Sequence, residues 1–346
     1  MNGLVAGPEN VRLKPVGTIP GPPGVDHHYS GRVASDILIR QLEYLVALAR
    51  EQHFGRAAAA CHASQPALST AVRKLEASLG VTIVQRGPRF SGFTPEGLRV
   101  VGWANRILAE RDALHNDLDR MRHGLGATVR IGAIPTAVPA TSLLTAPFCD
   151  RHPLARVRIE VLSSREIVRK LGEFDLDIGL TYLDGSAPSA RTALELYREQ
   201  YLLLTRADSE LAQLDTVGWA AAAALPLCTL STSMQNRRIL DAAMAAAGTR
   251  LNPVVEADNV AALYAHVATH RWSSIIAHAW LHAFGVPPGM RAIPLADPGP
   301  RPAVGIVVAD HHPGSIVAGA LIDAVREVDV SAVLDRSVAA ALAAPR

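Results

Sequence analysis

Gln65, Ser69 and Arg73 recur every four residues, with Ser64, Pro66, Thr70 and Lys74 beside them. On a helix that spacing gathers amides, hydroxyls and cations on one face. Gln and Ser can hydrogen-bond base edges, and Arg and Lys can pair with phosphates or guanine. A second group lies on loops that lead into helices: Thr136 in Ile134-Pro135-Thr136-Ala137, Ser163-Ser164-Arg165-Glu166, and Thr232-Ser233-Met234-Gln235, while Thr181 closes a strand where the chain would cross between lobes. Hydroxyls and free N–H groups at helix N-termini can receive an anion. The same hydroxyls can equally do no more than cap their own helices, since Ser163–Glu166 and Thr232–Gln235 both match the capping-box pattern. Enzyme chemistry has no comparable set. The chain lacks G-x-S-x-G, G-x-x-x-x-G-K-[ST], H-E-x-x-H and a G-x-G-x-x-G after a strand. Asp26-His27-His28 and Asp310-His311-His312 stand without further ligands at metal spacing. No catalytic residue, metal or cofactor is therefore expected.

The elements that must carry these groups can be read from periodicity. Leu42, Leu45, Val46 and Ala49 mark one buried helix face, and a short Ala-rich stretch follows at 56–61. Ser64 is a natural N-cap and Pro66 suits a first turn; Leu68, Val72, Leu75 and Leu79 form the buried stripe of the next helix, with Gly80 as its C-cap. A short helix, a tight turn and a helix with a cationic outer face is the layout of a helix-turn-helix. An ordinary amphipathic helix pair has the same pattern. Val81–Val84 and Phe90–Phe93 read as strands of a small wing, with Arg86 and Arg89 at its tip, in reach of DNA phosphates. Thr94-Pro95-Glu96 starts a long helix to about 122. Val100, Ile107, Leu114 and Met121 recur on it every seven residues, which suggests a dimer seam.

Charge and composition support the same division. Residues 37–94 hold seven cations against three anions, whereas residues 124–346 hold 19 against 21. A basic module beside a mildly acidic one suits a polyanionic partner. Residues 1–36 contain eleven Gly or Pro and no apolar periodicity, as in a disordered extension. The 49% hydrophobic content supports a packed core elsewhere. Three scattered cysteines exclude a disulfide scaffold and fit a reducing cytoplasm. The long uncharged stretches at 131–149, 216–236 and 272–290 are broken by Pro or polar residues, so no membrane partner is expected. From 127 onward strands alternate with helices, which argues for an open, mostly parallel sheet in two lobes.

The run Ile39–Gly97, with Ser64-Gln65-Pro66-Ala67-Leu68-Ser69, Lys74-Leu75-Glu76, Leu79-Gly80-Val81 and Thr94-Pro95-Glu96-Gly97, resembles the DNA-binding end of the LysR-type transcriptional regulators. The rest of the chain, to about 328, is similar in layout. Two features depart from the family pattern: the extension 1–36, and Thr70 where an arginine is usual. The resemblance implies an N-terminal all-α winged helix-turn-helix at 37–94, a linker and dimerisation helix at 95–123, and a C-terminal α/β sensor at 127–328 resembling a type 2 periplasmic binding protein. Its first lobe would comprise 127–181 and 290–328, its second 182–289, and a helical tail would follow at 329–346. It further implies a double-stranded DNA operator, a small-molecule effector, a homodimer or homotetramer, and RNA polymerase as partner of an activator. A solute-binding protein or an enzyme built on the α/β lobes is the alternative. On the residues alone the effector would be a small organic anion near Thr136, Ser163, Ser164, Thr181, Thr232 and Met234, with Arg165 assisting.

Overall fold

The computed structural model describes residues 37–85, 90–123, 126–184, 190–296, 299–310 and 315–343. The extension 1–36, the wing-tip residues Arg86 and Arg89, and His311 and His312 lie outside them.

Helices α1 (Ile39–Glu51), α2 (Phe54–Ala60) and α3 (Gln65–Leu79) form the N-terminal bundle. His53 caps α2, its Nδ1 accepting from Gly55 N–H at 3.0 Å and Arg56 N–H at 3.3 Å. Ser64 caps α3 by accepting from Ala67 N–H, and Gly80 ends it at φ 67°. Leu68, Val72 and Leu75 are buried, whereas Leu79 is 37% exposed and lies off the core stripe expected for it. Among the described residues the wing is held by an antiparallel bridge between Val84 and Phe93, flanked by bonds from Gln85 N–H to the Gly92 carbonyl at 3.0 Å and from Thr94 N–H to the Ile83 carbonyl at 2.9 Å. The Glu76 carboxylate takes the N–H groups of Ile83 and Val84 at 2.8 and 3.1 Å and so ties the wing to α3.

Helix α4 (Pro95–His123) is the long linker. Ala104 is fully buried against Leu42, Leu45, Leu75 and Ile83, with Val100 packed beside it. Val100 therefore serves its own domain and leaves the seam expected of it. The stripe left uncovered is Trp103, Ile107, Leu114 and Leu118, at 60, 39, 58 and 43% exposure. Met121 has no described side chain.

Two α/β lobes follow. The first sheet runs β2-β1-β3-β10-β4, from β1 (Thr128–Ala133), β2 (Arg156–Val161), β3 (Ile178–Tyr182), β4 (Ala190–Arg198) and β10 (Ala303–Ala309). β1 is parallel to β2 and β3, but β10 is antiparallel to β3 and β4. The second lobe holds an antiparallel sheet of β5 (Tyr201–Arg206), β8 (Ser274–Ala277) and β9 (Met290–Pro294), and a parallel pair of β6 (Cys228–Leu230) with β7 (Val255–Ala257). The expected mostly parallel sheet is thus mixed: β2, β1, β3 and β4 run the same way, and β10, which returns from the second lobe, enters reversed between β3 and β4. The crossings also move the lobe boundaries. β4 belongs to the first sheet, so the first crossing lies at Glu199–Gln200 rather than after 181. β9 belongs to the second sheet, so the return follows 294 rather than 289.

Helices α5 (Thr141–Arg151), α6 (Ser164–Gly172) and α11 (Ile316–Val325) cover the first sheet. Helices α7 (Trp219–Ala223), α8 (Gln235–Ala246), α9 (Val260–Val267) and α10 (Ala279–Phe284) belong to the second lobe. The terminal helix α12 (Val330–Leu342) is more than a tail. Val330 and Leu334 enter the first core, and Val338 and Ala341 pack on the second, so this helix straddles both lobes.

Candidate functional site

The outer face of α3 presents Gln65, Pro66, Thr70, Arg73 and Lys74 to solvent, with Ser69 half-buried and Ser64 exposed at the cap. Neither Arg73 nor Lys74 pairs with an acid among the described residues. Glu76, the anion of this helix, is turned back onto the wing backbone. Its sequence position signalled the motif but not that role. The face is thus polar over the N-terminal half of the helix, where a recognition helix meets base edges, and cationic just past its midpoint.

The sensor residues divide between two spaces. Thr136, Ser163, Ser164 and Met234 line a slot of about 10 Å³, together with Tyr182, Gln235 and Asn236. That is room for at most about one water, which needs some 10–15 Å³. Beside it opens a cleft of about 700 Å³ between α6 of the first lobe and α8 of the second. Ser164, Tyr182 and Gln235 border both spaces. Thr181 is buried at the cleft, and among the described residues neither its hydroxyl nor that of Ser164 has a hydrogen-bond partner. Val168, Ile239, Ala242 and Val307 form an apolar wall. Arg165 and Arg238 reach the cleft from opposite lobes, with Asp184 as the acidic group there.

Local sequence explains part of this. Ser163 caps α6, and the Glu166 carboxylate accepts its N–H at 2.9 Å and its hydroxyl at 2.7 Å. These bonds hold the Glu166 carboxyl below the usual range. The second expected capping box does not form. The N-cap of α8 is Met234, without a side-chain bond, while Thr232 is exposed and lines neither space. Asp258 accounts for the difference: the Ser231 hydroxyl bonds to it and to Ser233, pulling this loop away from a capping geometry. Ile239, Ala242 and Arg238 were missed from sequence, although their spacing on α8 carries the signal.

A small helix-turn-helix unit, joined by one long helix to a two-lobed α/β module with a cleft between its lobes, defines a ligand-responsive DNA-binding regulator. Comparison with known proteins narrows this. Residues 39–98 match the bacterial regulatory helix-turn-helix protein model of the lysR family, and residues 122–329 match the LysR substrate binding domain. The chain belongs to the LysR family of transcriptional regulators. It is 30% identical over 286 residues to the DNA-binding transcriptional dual regulator OxyR of Escherichia coli strain K12, covering 80% of this chain and 90% of that protein. Its match to the hydrogen peroxide-inducible genes activator of Dickeya chrysanthemi is 36% over 143 residues, 41% of this chain and about half the length of that relative, 47%. A full-length OxyR variant from Pseudomonas aeruginosa superposes with a TM-score of 0.68 at 26% identity, covering 85% of this chain and 96% of that one. Full-length CbnR in complex with its target DNA shares the fold, with a TM-score of 0.59 at 19% identity over 84% of this chain and 99% of that one. Among the described residues no helix is long and apolar enough to cross a membrane.

Proposed function

We propose that this protein is a cytoplasmic regulator, not an enzyme, that binds an operator through α3 and responds to a small organic anion in the cleft between α6 and α8. The observation that carries the first half is the α3 face, where Gln65, Ser69, Arg73 and Lys74 stand over a core that leaves them no structural duty. Arg86 and Arg89 would flank it on the phosphates. In a twofold dimer the operator is an inverted repeat, and an activator would then recruit RNA polymerase. Lys74→Ala is expected to weaken all DNA sequences similarly and to reduce the salt slope by about one. Gln65→Ala is expected to relax base preference by about 1–3 kcal/mol at one position. Binding isotherms on operator and scrambled duplexes at several salt concentrations separate the two. Wild-type behaviour of both folded variants removes this face from the interface.

The second half rests on the two orphaned hydroxyls, Ser164 and Thr181, beside Arg165. Two buried donors and a cation facing one space suit a carboxylate, and the apolar wall suits the body behind it. The anion is therefore assigned to the cleft, with Thr136 and Met234 behind it rather than in contact. A thermal-shift screen of carboxylates and neutral metabolites tests this. Arg165→Ala and Thr181→Val should each weaken an anionic hit about tenfold, the loss of one charge-assisted or buried hydrogen bond. A neutral hit, or an anion indifferent to both changes, rejects the site. Binding shifts DNA affinity only to the degree that it favours one lobe arrangement. The peroxide signal in the relatives' names finds no matching thiol in this cleft. Burial pushes the Cys228 thiol up to about 11 and raises Cys61, while exposed Cys149 lies on α5.

A further inference from the structure

Five polar side chains meet in the seam between the lobes, each more than nine-tenths buried. Thr136 and Tyr182 come from the first lobe, Tyr201 and Asn236 from the second, and Glu199 from the crossing between β4 and β5. The Tyr182 and Tyr201 hydroxyls both donate to Glu199 Oε2, at 2.9 and 2.7 Å. Asn236 Nδ2 donates to both phenol oxygens, at 3.4 and 3.3 Å, and Thr136 Oγ1 lies 3.2 Å from that of Tyr182. One carboxyl oxygen thus takes a tyrosine from each lobe. The other, Oε1, is buried and has no hydrogen-bond partner among the described residues.

This arrangement decides the charge. No Lys or Arg among the described residues pairs with Glu199. The titratable groups around it are Tyr182 on β3, Tyr197 on β4, Tyr201 on β5 and His278 ahead of α10, which packs edge-on against Tyr197 at 5.4 Å. Burial pushes all three phenols up, and burial pushes His278 down to about 4. Asp335 on α12, bonded to Gln200, adds no positive charge. An anion here would have a bare buried oxygen and no counter-charge, which is far costlier than a neutral acid. The acid keeps both tyrosine bonds on Oε2 and carries its proton on Oε1.

We propose that Glu199 is held as a neutral carboxylic acid that clasps the two sensor lobes, and that its ionisation loosens them. It acts as a positioning residue. Tyr182, Asn236 and Thr136, which its network holds in place, form walls of the slot beside the cleft. The inference does not depend on which ligand the cleft takes or on DNA binding.

The sign of the pH effect follows from linkage. Burial raises the Glu199 carboxyl above its ordinary value of 4.5. The folded state then keeps a proton that the unfolded chain has released. Stability from this group is complete below the ordinary value and drains away as pH rises toward the folded one. His278 and the Cys228 thiol also titrate differently in the two states, and comparison with Glu199→Gln, which keeps both, removes their contributions. The test uses the full-length protein and Glu199→Gln. Infrared spectra near neutral pH should contain the carbonyl band of a protonated, buried carboxyl in wild type and lack it in the variant. As pH rises from the ordinary carboxyl value toward the folded one, the wild-type melting temperature should fall relative to that of Glu199→Gln. Absence of the wild-type band, or equal slopes in both proteins, overturns the proposal. So does a Glu199→Gln protein that cannot fold while Tyr201→Phe can, since the site would then require the charge.

Discussion

Gly97→Ala is expected to unfold the DNA-binding end at temperatures where the wild type is intact. A Cβ at Gly97 would lie 2.1 Å from the Ile83 carbonyl oxygen, 2.8 Å from its carbon and 3.0 Å from its Cα. That carbonyl cannot retreat, because it accepts the Thr94 N–H at 2.9 Å and the Thr94 hydroxyl bonds the neighbouring Thr82 carbonyl at 2.6 Å. The clash is with backbone, so no rotamer relieves it. Overpacking typically costs about 1–3 kcal/mol and occasionally more, and a rigid backbone contact belongs at the upper end. For a domain of this size, 3 kcal/mol lowers the melting temperature by roughly 12–24 °C. Gly102→Ala is the matched control on the same helix, since its Cβ would meet nothing within 4 Å. There alanine should be neutral or better by about 0.5–1 kcal/mol, the helix preference over glycine. Scanning calorimetry of the two variants gives the comparison. Equal melting would mean that α4 enters the domain at another angle.

Ile107→Asp combined with Leu114→Asp is expected to give a folded monomer that has lost tight operator binding. Both residues are exposed in the protomer, at 39 and 58%, so the substitution leaves its cores intact. In a twofold seam each occurs twice. Full burial of such a side chain stabilises by about 1.5–3 kcal/mol, and with only the exposed part left to cover, the four contribute roughly 3–6 kcal/mol to association. Four carboxylates in their place reverse the sign. Losing one half-site then costs the second binding event its effective local concentration, which is worth about 100-fold or more in affinity. Sedimentation velocity and operator titration read the two effects. A dimer that survives the double change would place the contact elsewhere. Val100→Ala should weaken folding instead of association, because Val100 packs on its own domain. Trp103→Ala should act with the seam residues; Arg106 stacks on its ring at 5.0 Å.

The difference between Val100 and Trp103 marks where sequence stops being informative. A seven-residue recurrence identifies an apolar stripe on α4, but a 29-residue helix can turn one part of that stripe inward and another outward. Which part does so depends on where α1 and α3 lie against it. The α3 face was legible because capping, helical periodicity and solvent exposure are local: Ser64, Pro66 and Gly80 set its ends, and the buried Leu68, Val72 and Leu75 fix which side points out. Ser163 and Glu166 were legible for the same reason, as a reciprocal bond within one turn. Thr232 satisfied the same pattern and failed, because the Ser231 hydroxyl found Asp258, 27 residues away.

The sequence by itself determined the helix-turn-helix, the long linker, the alternating strands and helices of the sensor, and the family to which all of them belong. These follow from periodicities of two and 3.6 residues and from caps that act within a turn. Tertiary structure alone decided which strands share a sheet, and so moved β4 and β9 to the lobes opposite those expected. It separated a cleft of about 700 Å³ from a slot of about 10 Å³ among hydroxyls that look alike in sequence. It also made Glu199 exceptional. In the sequence it is one acid among 32. In the fold it lies fully buried where the lobes meet, paired with no cation among the described residues, and burial of that kind arises only when residues distant in the chain are brought together.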